Sequence, residues 1–214
     1  MDIRRWCEGA GAAGRICRGL AVALVVVLFA LHPARSQAQN ITYSEFKFGV
    51  LDHDVHFLGG HESGVDFNPE VIFGSPVSDD MIASAPGWLR WTLQPRPTIG
   101  GTINTAGDTD QAYVGATWSW WLVHNIFNPD DGIVLGYFFG PGFNDGHIGE
   151  APLFHPENRQ ALGSHVLFRE AFDLGYQINP TWEISAYIDH ISNGGLAKYN
   201  QAINDVGLRL GMRF

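Results

Sequence analysis

Along most of this chain apolar and polar side chains alternate residue by residue, and a period of two is the signature of two-faced β-strands rather than helices. Trp182, Ile184, Ala186 and Ile188 alternate with Glu183, Ser185, Tyr187 and Asp189. Val65, Phe67, Val71 and Phe73 alternate with Asp66, Asn68 and Glu70, and Phe46, Phe48 and Val50 with Glu45, Lys47 and Gly49. Ala112, Val114, Ala116, Trp118 and Trp120 oppose Gln111, Tyr113, Gly115, Thr117 and Ser119, and Leu89, Trp91 and Leu93 oppose Arg90, Thr92 and Gln94. Such runs recur near 43–51, 64–73, 88–99, 110–122, 133–140, 163–176, 181–192 and 203–214. Eight two-faced strands predict an all-β protein that closes a single antiparallel sheet.

The first residues stand outside this pattern. Arg4, Arg5, Arg15 and Arg18 precede an apolar run from Leu20 to Leu31, and Ser36-Gln37-Ala38 follows as a small-x-small site. These are the three parts of a secretory signal peptide, and the run is shorter than the ~20 residues a membrane helix needs. Residues 1–38 are therefore expected to be removed, leaving 39–214 as one domain. Both cysteines, Cys7 and Cys17, fall in the removed segment, so no disulfide framework or thiolate site is expected. Removal of five arginines and two acids leaves 8 basic and 20 acidic residues, a formal charge of −12 against −9 for the whole chain. Such a balance argues against nucleic acid, which needs a basic face.

A soluble sandwich or lipocalin-like barrel would also alternate. Several features point to an outer-membrane barrel instead. Strands near ten residues suit a tilted crossing of a bilayer. Trp88, Trp91, Trp118, Trp120, Trp121, Tyr176 and Trp182 are placed as an interfacial girdle. Asn128-Pro129-Asp130-Asp131-Gly132 and Asn179-Pro180 read as short turns on one side, and 141–162 as a long loop on the other. Gly140-Pro141-Gly142 reads as the turn that opens this loop. Phe214 closes the last strand after Val206, Leu208, Leu210 and Met212, which resembles the C-terminal signature of outer-membrane barrel proteins. In the sixth strand Glu170 falls on the apolar face with Val166, Phe168, Phe172 and Leu174, and a bulge or a different register is expected to remove it. The fifth strand has no polar face by which to orient it.

Two polar residues extend the apolar face of the seventh strand. His190 and Ser192 continue the row of Ile184, Ala186 and Ile188, two residues apart and so on one side. Polarity at the headgroup layer would account for them, and so would chemistry. His190-Ile191-Ser192-Asn193-Gly194-Gly195-Leu196, followed by Asn200 and Ile203-Asn204, resembles the C-terminal signature of the PagL-type lipid A 3-O-deacylases. The resemblance is specific over roughly residues 182–214. It implies an eight-stranded outer-membrane barrel that hydrolyses the ester-linked acyl chain at the 3-position of lipid A. By position, it implies His190 as general base, Ser192 as nucleophile, and Asn193 with Gly194 as the region that stabilises the oxyanion. The family has a glutamate where this chain has Asn204. An amide oxygen can hold the imidazole tautomer but cannot offset imidazolium charge. If residue 192 pairs with 204, Asn204 lies diagonal to His190 on the same face, whereas Asp205 points inward with Arg209 and Arg213.

A serine hydroxyl needs a neighbouring imidazole to become nucleophilic, and the resulting oxyanion needs donors already in place. The expected partner is lipid A or lipopolysaccharide reached laterally from the outer leaflet, with no cofactor. A non-enzymatic surface protein or adhesin and a phospholipase of the same ester chemistry remain alternatives. Asp52, His53, Asp54, His56, His61 and Glu62 lack a recognisable ligand spacing and are expected as exposed polar loop residues rather than a metal site.

Overall fold

The computed structural model describes residues 44–150 and 159–214. The expected signal peptide lies outside the described residues. Eight strands run in chain order: β1 (Glu45–Asp52), β2 (Val65–Ile72), β3 (Arg96–Asn104), β4 (Gln111–His124), β5 (Gly132–Asn144), β6 (Val166–Gln177), β7 (Trp182–Ser192) and β8 (Ile203–Arg213). Each is antiparallel to the next, and β1 pairs with β8 to close the barrel. No described helix is long and apolar enough to cross a membrane.

The polarity of the barrel is inverted relative to a soluble protein. Outward side chains include Phe48, Val50, Ile99, Val114, Phe143, Phe172, Leu174, Ile184, Leu208 and Leu210, all exposed. A continuous apolar wall of this kind is stable in hydrocarbon and not in water. The interior carries the charges. Lys47 bridges Glu183 at 2.6 Å and Asp173 at 3.1 Å, Arg209 bridges Glu70 at 2.5 Å and Asp173 at 3.3 Å, and Arg169 meets Asp189 at 2.6 Å. The Arg169 and Arg209 guanidinium groups also lie 4.2 and 4.4 Å over the rings of Tyr113 and Tyr187. Buried ions cost desolvation unless paired and hydrogen-bonded, and here each cation is. Eight strands are too few for an open pore, and these side chains occupy the lumen.

Alternation misled in two places. Residues 88–93 are not strand: Gly87–Arg90 and Trp91–Leu93 form short helical turns, and β3 starts at Arg96. Pro86 opens the first turn, with the Leu89 N–H donating to its carbonyl, and Pro95 ends the helical stretch. The true strand was hidden by Gly100-Gly101, which carry no side-chain pattern. The consequence is a long connection, 73–95, on the side expected to have only short turns; it returns to the outer wall, where the Trp118 indole N–H donates to the Thr92 carbonyl at 3.0 Å. The second miss is Gly140-Pro141-Gly142. These residues continue β5 to Asn144, paired with Arg169, Phe168 and Leu167 of β6, while the pairing with β4 is interrupted at Gly140 and Pro141, where the proline has no N–H to donate. β5 is thereby oriented, with Val134 and Phe138 inside and Phe139 and Phe143 outside.

The outer end is closed from within. Leu162, arriving from the β5–β6 loop, packs with Leu167, Ile191 and Ile203 in a buried cluster. Ile191 and Ile203 are the inward neighbours of His190, Ser192 and Asn204, so this cluster backs the outward polar row.

Candidate active site on the outer wall

Antiparallel pairing places β7 and β8 so that His190 is directly opposite Asn204. This differs from the diagonal expected above: the hairpin closes with Ile191 opposite Ile203, and residues 193–202 form the loop. Direct opposition brings the two side chains closer than a diagonal would. The Asn204 Oδ1 accepts from His190 Nδ1–H at 2.8 Å, and the Ser192 hydroxyl donates to His190 Nε2 at 3.0 Å. With its proton held on Nδ1, the imidazole aims the Nε2 lone pair at the hydroxyl and can take its proton. All three residues are half-buried and face outward. Asp205 is fully buried in the lumen, as parity required.

The loop after Ser192 is braced by Asn193. Its amide Nδ2 donates to the carbonyls of Leu162 (2.7 Å) and Tyr199 (2.6 Å), and its Oδ1 accepts from Gly195 N–H (2.9 Å). Its own backbone N–H donates to Asn200 Oδ1 at 3.0 Å. The polar groups of Asn193 are thus spent on holding the loop. Gly194 is different: at φ +64° it turns the chain back over Phe168, the residue opposite Ser192, and among the described residues its N–H has no acceptor. Gly163 lets the β5–β6 loop approach this brace. At φ +73° it sits against the Tyr199 carbonyl, and a Cβ there would lie 2.8 Å from Asn193 Nδ2.

Residues 87–213, more than half of the chain, match the family model described as lipid A 3-O-deacylase (PagL). The chain belongs to the PagL family. Among solved structures it is similar to that of the outer membrane enzyme PagL, at 13% identity and a TM-score of 0.54, over 78% of this chain and 97% of that one. It also matches Neisserial surface protein A (13% identity, TM-score 0.44, 80% and 96% covered) and the Yersinia pestis outer membrane protein Ail (14%, 0.42, 80% and 99%). No curated protein matches by sequence. The fold shared with PagL is the eight-stranded outer-membrane barrel.

Two outward residues stand beside the Asn204–His190–Ser192 row of this PagL-family barrel. Phe168, opposite Ser192, stacks on Phe139 with centroids 6.4 Å apart and planes 10° from parallel. Glu170 does face outward, without a bulge, and lies directly opposite His190. The signal was present, as a carboxylate on the apolar face of β6, but only the register shows what it sits beside.

The acidic and histidine residues of the first loop are not a fringe of exposed groups. His53, Asp54 and Glu62 are buried over the outer end of the lumen, while Asp52 and His61 are exposed. His53 donates to Asp66 at 2.7 Å and to Glu62 at 3.1 Å. Burial opposes its charge, but these bonds and the nearby Asp205 outweigh burial and push the imidazole up to about 11. His53, Asp66 and Asp205 could geometrically surround an ion. With both ring nitrogens engaged by carboxylates, a protonated His53 already supplies the cation.

Proposed function

We propose that this protein hydrolyses the ester-linked acyl chain at the 3-position of lipid A, in the outer leaflet of the outer membrane, by a serine–histidine mechanism. The observation that carries the reading is the hydrogen-bonded series Asn204–His190–Ser192 on the lipid-facing wall of a PagL-family barrel. A site in the lumen would have to draw substrate from water. One on the outer wall meets a lipid that diffuses in the membrane plane.

In this mechanism Asn204 holds the proton on Nδ1, and Nε2 takes the Ser192 proton as Oγ attacks the ester carbonyl. The oxyanion that forms is stabilised by the Gly194 N–H. The His190 imidazolium then gives its proton to the departing sugar oxygen, and water attacks the acyl-enzyme by the same route. Phe168 and Phe139 offer a flat apolar strip beside Ser192 for the acyl chain.

Expression in a bacterium of known lipid A structure, with mass spectrometry of lipid A and phospholipids, tests the reading. The expected result is loss of one 3-linked acyl chain with the wild type and not with Ser192→Ala. Unchanged lipids with folded protein in the membrane would point to a non-enzymatic surface protein, and loss of acyl chains from phospholipids alone to a phospholipase.

A further inference from the structure

A carboxylate on the lipid-facing wall of a barrel costs up to a few kcal/mol, so one that is present needs a reason. Glu170 is exposed between Phe168 and Phe172 on β6, four residues in from the strand's outer end. Among the described residues no lysine or arginine lies within ion-pair distance of it. In the ladder Glu170 stands opposite His190, which stands opposite Asn204, so one outward row across three strands reads carboxylate, imidazole, amide. Directly paired residues have Cβ atoms about 4.5–5.5 Å apart.

Resting on the function proposed above, we propose that Glu170 is a positioning residue that supplies the negative charge Asn204 lacks, stabilising the His190 imidazolium from the β6 side. The division of labour is physical. Asn204 sets the tautomer through a neutral hydrogen bond, and Glu170 acts through its field in a low-dielectric wall, where an opposite charge within about 4–6 Å favours the protonated imidazole. No proton moves to or from Glu170 in this scheme. The proton moves from Ser192 Oγ to His190 Nε2, and from there to the departing oxygen.

No other acid or base is as well placed. The outward residues of β8 beside His190 are Asn204 and Val206, and β7 itself offers only Ser192 and Ile188. Asp52 faces outward on β1 opposite Val206, one strand beyond Asn204. Tyr176 is at the far end of β6, and His165, just before β6, bonds the Asn144 carbonyl. Lys198 in the β7–β8 loop lies 4.8 Å over the Tyr199 ring. Asp189 and Asp205 point into the lumen, where Arg169 pairs with Asp189. Asp54, in the loop whose Val55 N–H reaches the Asn204 carbonyl, is buried and bonded to backbone N–H groups of His61 and Glu62.

The test uses the full barrel in lipid or detergent micelles, as wild type, Glu170→Gln, Asn204→Glu and the double variant. NMR titration of the His190 imidazole should show its pKa lowered by about one unit in Glu170→Gln. On lipid A, kcat should fall about ten- to hundredfold with KM little changed, and in the Asn204→Glu background the fall should shrink to less than about threefold. Glutamine keeps the shape of the side chain, so a merely structural role would leave the titration unmoved. An unchanged His190 pKa in folded Glu170→Gln overturns the proposal. Glu170→Leu, suited to a lipid-facing position, must give the same pKa shift and serves if the glutamine variant folds poorly. If wild type leaves lipid A intact, the proposed reaction fails, and the titration still decides whether Glu170 sets the charge on His190.

Discussion

Replacing Asn204 with glutamate puts a carboxylate where an amide oxygen now accepts the His190 Nδ1–H at 2.8 Å. During acylation His190 becomes an imidazolium, so the variant adds an attraction that exists in the transition state and is absent from the resting site. With charge centres about 4 Å apart and an effective dielectric near 20, that attraction is about 4 kcal/mol. The site is half-exposed and the new carboxylate must shed water to form the pair, so roughly half survives, about 2 kcal/mol, which corresponds to about thirtyfold in kcat. The assay is the initial rate of fatty-acid release from lipid A in mixed micelles, with folding of each variant checked by its heat-dependent gel mobility. Asn204→Ala is the companion; it removes the tautomer-setting acceptor, and the rate should fall at least about tenfold, a hydrogen bond's worth of about 1 kcal/mol plus the loss of orientation. Folded Asn204→Glu with kcat at or below the wild-type value would refute the reasoning that position 204 partners His190.

Asn193→Ala strips the acceptor from the Gly195 N–H and the donor from two carbonyls, so the β7–β8 loop should lose about 2–3 kcal/mol of local stability, seen as faster proteolysis within 193–202 and lower activity. Arg169→Met leaves Asp189 buried without its 2.6 Å partner and should destabilise the barrel by about 3–5 kcal/mol in urea unfolding from lipid vesicles. His53 has a raised folded-state pKa of about 11, so its contribution to holding the first loop is complete below the ordinary histidine value of about 6.5 and fades as pH rises through about 11. Hydrogen exchange of residues 53–64 should accordingly show protection weakening between pH 7 and 11, and His53→Gln should abolish most of that dependence.

Much of the barrel was legible because one face of each strand must be apolar and the other polar. β1, β2, β4, β6, β7 and β8 declare themselves in this way. β3 did not, since Gly100-Gly101 erase its pattern while Leu89, Trp91 and Leu93 alternate by accident of composition in helical turns. The end of β5 was masked by a proline that interrupts the pairing with β4 and leaves the ladder with β6 intact.

Alternation determined which face His190, Ser192 and Asn204 occupy, and their spacing in the chain sufficed to pair a base with a nucleophile two residues apart, whereas the unbroken pairing of β6 with β7 decided that Glu170 keeps the outward face. It could not determine register, because sliding β7 against β6 or β8 by two residues preserves every inward and outward assignment. Tertiary structure chose the slide: the β7–β8 loop, braced by Asn193, sets His190 against Asn204, and the pairing of β6 with β7 sets Glu170 against the same imidazole. Burial of the first loop was likewise beyond the sequence, since polar residues read as exposed until a closed barrel offers Asp66 and Asp205 as partners for His53.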